Sequence, residues 1–217
     1  MSELPKILKL EPRGESFSAN ISTLEDDLII PAELVIKHRL KAGIVITVAQ
    51  VDQLREEAAR VVCEATAARL LAARAHSAGE LRAKLKSRSF SPDNIDSTIK
   101  DFRNRALLDD AQVAGKLVEE SLKRNPSGRA HLMAMLMRKR ISRELAEDTI
   151  RRYLADSDEA DLAEQSLRKR WSSFSRFELE RARTKAYNYL SRRGIGYAAA
   201  RTAFERLYND QNEECED

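Results

Sequence analysis

Cysteine, glycine, proline and aromatic residues are all scarce in this chain. Of 217 residues only Cys63 and Cys215 are cysteines, seven are glycines, five prolines and one a tryptophan. Two cysteines without a C-x-x-C pair supply neither a disulfide framework nor a zinc site, and they suit a reducing compartment. The shortage of glycine and proline excludes collagen-like and loop-dominated chains and fits a mostly helical one. No apolar run approaches the roughly 20 residues a membrane span requires, and the N-terminus lacks a signal-peptide pattern, so a cytoplasmic protein is expected. Motifs that carry chemistry are missing as well. There is no G-x-x-x-x-G-K-[ST] phosphate loop, no G-x-G-x-x-G and no G-x-S-x-G. His38, His76 and His131 hold unrelated positions and read as polar helix-end or surface residues rather than ligands. Asp109 and Asp110 stand at a predicted helix start, where capping and the helix dipole account for them. The expectation is a binder, not an enzyme, with no cofactor and no metal.

Charge and helix-forming sequence are present in quantity. Hydrophobic residues make up 42% and charged ones 34%, a globular balance. The net charge of +3 hides a segregated distribution: residues 122–152 carry nine Lys/Arg against three acids, and residues 168–206 carry eleven against three. Acidic stretches lie between and after them, at 156–161 and in the tail 209–217.

The stretch from Arg74 to Asp110 organises the rest. Ser77 and Glu80 make an S-x-x-E capping box, Leu81 and Leu85 share a helical face, and Ser91-Pro92 opens a second helix whose stripe is Ile95 and Ile99. The pattern recurs. Leu85, Leu136 and Leu190 are each followed five residues later by an apolar side chain, namely Phe90, Ile141 and Ile195. Ile95, Ala146 and Ala200 come next, then Ile99, Ile150 and Phe204; Leu81, Leu132 and Ala186 precede. A period of about 50 residues signals a helical repeat array with a shared core.

The spacing therefore predicts a mainly α protein: an elongated tandem array of three three-helix repeats, at 51–107, 108–155 and 156–208. A small α+β module at 1–50 precedes it, and the acidic tail 209–217 is expected to be disordered. In the N-terminal module, strands are expected over 7–10, 17–21 and 28–30, and a helix runs from Pro31 to about Leu40, closed by Gly43. Residues 44–48 form a strand or a buried extended segment. A long helix covers 51–74. In the third repeat the first helix should reach Trp171, and a second capping box, Ser175 with Glu178, should open the middle helix.

Each repeat ends its middle helix in cations: Lys86 and Arg88, then Arg138, Lys139 and Arg140, then Arg192 and Arg193. One or two per helix would satisfy the macrodipole. Equivalent corners in successive repeats would also draw a basic stripe, the electrostatic footprint of a polyanion or an acidic partner. Aromatics concentrate in the third repeat, where Tyr189 is the candidate for an exposed ring that could stack on a base.

Four segments carry a family likeness: RAHSAGELRAKL (74–85), LLDD (107–110), NPSGRAHLMAMLMRKRIS (125–142) and YLSRRGIGY (189–197). They resemble the RecX family, modulators of the RecA recombinase, and the KILKLEP opening and HRLKAG turn resemble the extra N-terminal domain of its longer members. In that family a glycine often precedes the apolar residue after the middle helix. Here only Gly194 keeps it, Ser89 and Arg140 replace it, and the turn geometry of the first two repeats stays open. The resemblance implies a non-enzymatic, all-helical protein that binds the groove of a RecA–single-stranded DNA filament. It would limit filament extension, ATP hydrolysis and strand exchange, and so restrain recombination and the SOS response. The alternatives are a sequence-independent nucleic-acid-binding module acting without RecA and, less favoured, a helix-turn-helix transcription factor.

Overall fold

Alternation of apolar and polar residues builds the first elements. β1 (Ile7–Arg13), β2 (Ser16–Ile21) and β3 (Leu28–Pro31) form an antiparallel sheet in chain order. The structure, a computed structural model, describes residues 4–213. One sheet face carries Ile7, Ala19, Ile21 and Ile30, all buried against Leu34 and Val35 of α1 (Ala32–Lys37) and Val51, Leu54 and Ala58 of α2 (Val48–Ala73). On β2, Ser18 and Asn20 donate hydrogen bonds to the Asp27 carboxylate at 2.7 and 2.8 Å.

Two expectations about this module need correction. Helix α1 stops at Lys37 rather than near Leu40, because Arg39 turns to φ 51° and the Leu40 amide reaches back to the Val35 carbonyl. Gly43 (φ 92°) belongs to a separate turn. Residues 44–48 form no strand of the sheet. Val45 makes a single bridge to Lys6, and Thr47 then opens α2 with a capping box in which Thr47 and Gln50 bond each other's amides.

Glu57 of α2 ties α1 down. Its carboxylate lies 2.8 Å from the Lys37 ammonium and 2.9 Å from His38 Nε2, and Gln53 donates to it at 2.9 Å. These bonds favour the ionised form and lower its pKa to about 2. A depressed carboxylate stabilises the fold above its unfolded value near 4.3 and loses that contribution as pH falls toward the folded value. Glu57→Gln should therefore melt below the parent at pH 6, with the gap narrowing below about pH 4.3 and closing only as pH falls through about 2. A gap that does not change with pH would refute this role.

The chain divides into two compact units. The first holds the residues up to Ala75 together with Leu81–Leu107; the second holds His76–Glu80 and the residues from Leu108 onward. In the first unit α2 packs on α4 (Pro92–Asn104), where the Thr98 hydroxyl donates to the buried Cys63 sulfur at 3.5 Å. Helix α3 (Ala78–Lys86) buries Leu81 and Leu85. The second unit contains α5 (Asp110–Arg124), α6 (Arg129–Arg138) and α7 (Arg143–Tyr153), followed by α8 (Glu159–Arg168), α9 (Trp171–Phe174), α10 (Leu179–Arg192) and α11 (Tyr197–Glu213). One cluster of its core joins Val118, Leu132, Leu136, Ile141, Ala146 and Ile150; another joins Leu167, Phe174, Ala186, Leu190, Ile195 and Phe204.

The aligned anchors behave alike. Leu85, Leu136 and Leu190 have no exposed surface, and their followers Ile95, Ala146 and Ala200 and then Ile99, Ile150 and Phe204 are all buried. Only Phe90 is half-exposed where Ile141 and Ile195 are buried. The turns also coincide. Ser89, Arg140 and Gly194 all adopt the left-handed region, at φ 63°, 54° and 69°. In each turn the next amide reaches back to the anchor leucine: Phe90 to Leu85 (3.4 Å), Ile141 to Leu136 (3.2 Å) and Ile195 to Leu190 (3.1 Å). This is the Schellman closure. The open question of turn geometry is thus answered, since serine and arginine keep the glycine conformation at a cost of roughly 1–2 kcal/mol each.

The third repeat departs from its expected boundaries. Helix α8 ends at Arg168, and a short α9 intervenes, with Ser175 as its C-cap. Ser175 is thereby used up, no side chain caps α10, and the second capping box does not form. Helix α11 continues through residues 209–213, which were expected to be disordered; Phe204 stacks on Tyr208 at 6.1 Å and Arg168 holds Asp210 at 3.3 Å. The rest of the expected tail lies outside the described residues.

Candidate partner-binding surface

The middle-helix ends are built by one device used twice in the second unit. The start of α3 sits on the turn after α6: the Ser77 hydroxyl caps the Glu80 amide at 3.0 Å and donates to the Lys139 carbonyl. Gly79 leaves room there, because a Cβ at that position would lie 2.6 Å from the Arg140 Cβ and overlap the Arg140 carbonyl. The start of α6 sits likewise on the turn after α10. The Gly128 amide donates to the Arg193 carbonyl at 2.9 Å, and His131 Nδ1 lies 3.2 Å from the Arg192 carbonyl. The Glu80 carboxylate lies 3.3 Å from the Lys139 ammonium. His76, read as a polar end or surface residue, is buried with 2% exposure, its Nδ1 3.6 Å from Glu80.

This geometry sorts the cations of the predicted stripe. Lys139 and Arg193 occupy equivalent positions and are half-buried in the two junctions. Lys139 pairs with Glu80, while Arg193 donates to the Ser127 hydroxyl at 3.5 Å and lies 5.7 Å from the Tyr189 ring. Arg138, Arg140 and Arg192 are exposed and form no ion pair among the described residues. Arg192 donates to the Asn188 carbonyl of its own helix, at 3.1 Å. Lys86 and Arg88 are exposed in the first unit, Arg88 bonding the Lys84 carbonyl at 3.0 Å.

Tyr189 is not the exposed ring that was expected. It is 8% exposed, packed 5.7 Å from Phe174, with its hydroxyl accepting from Ser166 at 3.2 Å. The cause is α9, an element the first two repeats lack, which lays Phe174 against it. The guanidinium groups of Arg170 (5.2 Å) and Arg193 stand over its ring. Around the neighbouring Phe177 ring lie Arg176 and Arg181, both at 5.0 Å, and Lys185 at 4.7 Å. A cleft of about 430 Å³ opens here, lined by Arg170, Arg176, Phe177, Lys185, Tyr189 and Arg192. Sequence reasoning found Arg192 and Tyr189 but missed the other cations. Their signal was the run of eleven basic residues between 168 and 206, read only as a regional excess.

Repeated three-helix units, with solvent-facing arginines that form no ion pair among the described residues, define a helical-repeat protein. The model of the first three-helix domain of RecX matches residues 63–102, and the Regulatory protein RecX of Deinococcus radiodurans is 32% identical over 154 residues, covering 69% of this chain and 72% of that one. The chain belongs to the RecX family of regulatory proteins. The Regulatory protein RecX of Chromohalobacter salexigens is 31% identical over 144 residues, covering 66% of this chain and 91% of its own. That of Clostridium botulinum is 24% identical over 213 residues, spanning 95% and 98%. The fold resembles a crystal structure of regulatory protein RecX with a TM-score of 0.66 at 17% identity, covering 93% of this chain and all of that one. It also resembles RecX from Lactobacillus salivarius, with a TM-score of 0.58 at 19% identity, covering 69% and 96%. Among the described residues no helix is long and apolar enough to cross a membrane.

Proposed function

We propose that this protein modulates the RecA recombinase by binding the RecA–single-stranded DNA filament, limiting its extension, ATP hydrolysis and strand exchange. On this reading it restrains DNA repair by recombination and the SOS response, as a cytoplasmic, non-enzymatic regulator. The observation that carries the reading is the set of exposed cations at the middle-helix ends, Arg138, Arg140 and Arg192, which have no carboxylate partner among the described residues. A filament offers both DNA phosphates and acidic protein surface, and uncompensated guanidinium groups suit either. Lys86 and Arg88 extend the binding set to the first unit, and Lys139 and Arg193 serve by holding the two junction turns in place.

The test is DNA-dependent ATP hydrolysis by RecA with and without this protein. The parent should lower the rate. Arg138→Glu with Arg140→Glu should lose at least about tenfold in potency while keeping the parent's circular dichroism, and the loss should shrink as salt rises. Lys139 is left unchanged because a glutamate there would face Glu80. The control reverses Arg151 and Arg152 in α7, both exposed and away from the middle-helix ends. Potency within about threefold of the parent is expected of it. A parent protein that leaves RecA hydrolysis unchanged, yet binds bare single-stranded DNA equally well with or without RecA, would replace this reading with a nucleic-acid binder acting alone.

A further inference from the structure

The cleft between α9 and α10 has a charge arrangement unlike the rest of its surroundings. Neighbouring arginines are neutralised: Arg168 by Glu164 at 2.8 Å, Arg183 by Glu180 at 2.6 Å, Arg201 by Glu205 at 2.9 Å and Arg206 by Asp161 at 2.8 Å. Arg170, Arg176, Lys185 and Arg192 have no such partner among the described residues, although they line one cleft, and Arg181, equally without one, stands over the Phe177 ring beside it. Two aromatic rings take the place of the missing carboxylates. Phe177 and Tyr189 attract the cations through their π faces, which eases like-charge repulsion without consuming net charge. The guanidinium N–H groups stay available as forks, and a planar fork matches the oxygens of a phosphate.

The same contacts exclude a second use of the rings. Tyr189 is buried beneath Phe174, Arg170 and Arg193, and Phe177 is surrounded by three cations, so neither presents a free face to a nucleobase. We propose that this cleft is a phosphate-binding site that grips neighbouring phosphates of a phosphodiester or polyphosphate chain through Arg170, Arg176, Lys185 and Arg192 and makes no contact with bases. The site gives residues to the nucleic-acid side of the reading above, but its test uses no RecA and can fail separately.

Fluorescence anisotropy of the full chain with two labelled probes of equal length decides it: a thymidine homopolymer and a strand of the same backbone lacking bases. The two should bind within about threefold of one another. Arg170→Gln with Arg176→Gln and Lys185→Gln removes the charges while keeping polar side chains with two methylenes each, and should weaken both by at least about tenfold. The slope of log affinity against log salt should fall by about two, since each single-strand phosphate contact contributes about 0.7. Unlabelled competitors then separate the sources. Displacement by inorganic tripolyphosphate, lost in the variant, assigns a compact polyphosphate; displacement by the base-free strand alone assigns a polynucleotide backbone. The proposal is overturned if the base-free strand binds tenfold more weakly than the homopolymer. It is equally overturned if the folded variant binds both probes like the parent, or if neither competitor displaces the probe.

Discussion

Gly128→Ala should destabilise the second unit by about 2–4 kcal/mol, more than a single added methyl usually costs. The position is the N-cap of α6, and its backbone meets the turn after α10. A Cβ there would overlap the Gly194 carbonyl oxygen and lie 2.8 Å from the Gly194 carbonyl carbon. These are backbone atoms in a turn fixed by the Ile195–Leu190 hydrogen bond, so no side chain can swing aside. The Gly128–Arg193 bond would be lost with any shift that relieved the overlap. Gly115 in α5 is the comparison. There a Cβ would meet only the Tyr153 hydroxyl at 3.1 Å, the far end of a flexible side chain, and alanine is the better helix former by up to about 1 kcal/mol. Gly115→Ala should accordingly be near neutral. Urea unfolding followed by circular dichroism separates the two; equal midpoints would mean that the α6–α10 junction is not formed in solution.

That junction marks the boundary of what a single sequence displays. The anchors were legible because burial of one helix face imposes a 3.6-residue period, and three copies of the period reinforce one another. The left-handed turns were not. Serine and arginine carry no signal for φ above zero, and only their equivalence to Gly194 pointed there. Gly79 and Gly128 could not be read as close-approach positions either, since what they approach lies about 60 residues away in sequence. The basic cleft was missed for a related reason. It depends on α9, a four-residue helix present in one repeat only, and it is this insertion that buries Tyr189 and gathers Arg170 and Arg176 beside α10. Repetition revealed the scaffold and concealed the place where the third copy differs. The helix-end cations were legible as a set, but their division into exposed and junction-held members was not. That division follows from the Glu80–Lys139 pair and the Ser127–Arg193 bond.

Leu136→Ala should cost about 2–5 kcal/mol, at the upper end of what one side chain can contribute. Leu136 has no exposed surface and belongs to the cluster of Val118, Leu132, Ile141, Ala146 and Ile150, contributed by α5, α6, α7 and the turn between the last two. Helices packed on three sides leave little freedom for the wall to collapse into the vacated volume, which keeps the cavity contribution large. The backbone role of the residue is untouched, since its carbonyl still accepts the Lys139 and Ile141 amides at 3.0 and 3.2 Å. The loss is therefore one of side-chain packing alone. Met137, one residue on, is 45% exposed, and Met137→Ala should cost less than about 1 kcal/mol. The pair makes a strict test because both changes sit in the last turn of one helix with similar propensities. In urea the Leu136 variant should shift its midpoint strongly with an unchanged slope, as expected for lost packing in a unit that still unfolds cooperatively. If both variants unfold at the parent's midpoint, Leu136 is not the core anchor that its equivalence to Leu190 requires, and the repeat alignment fails in the second copy.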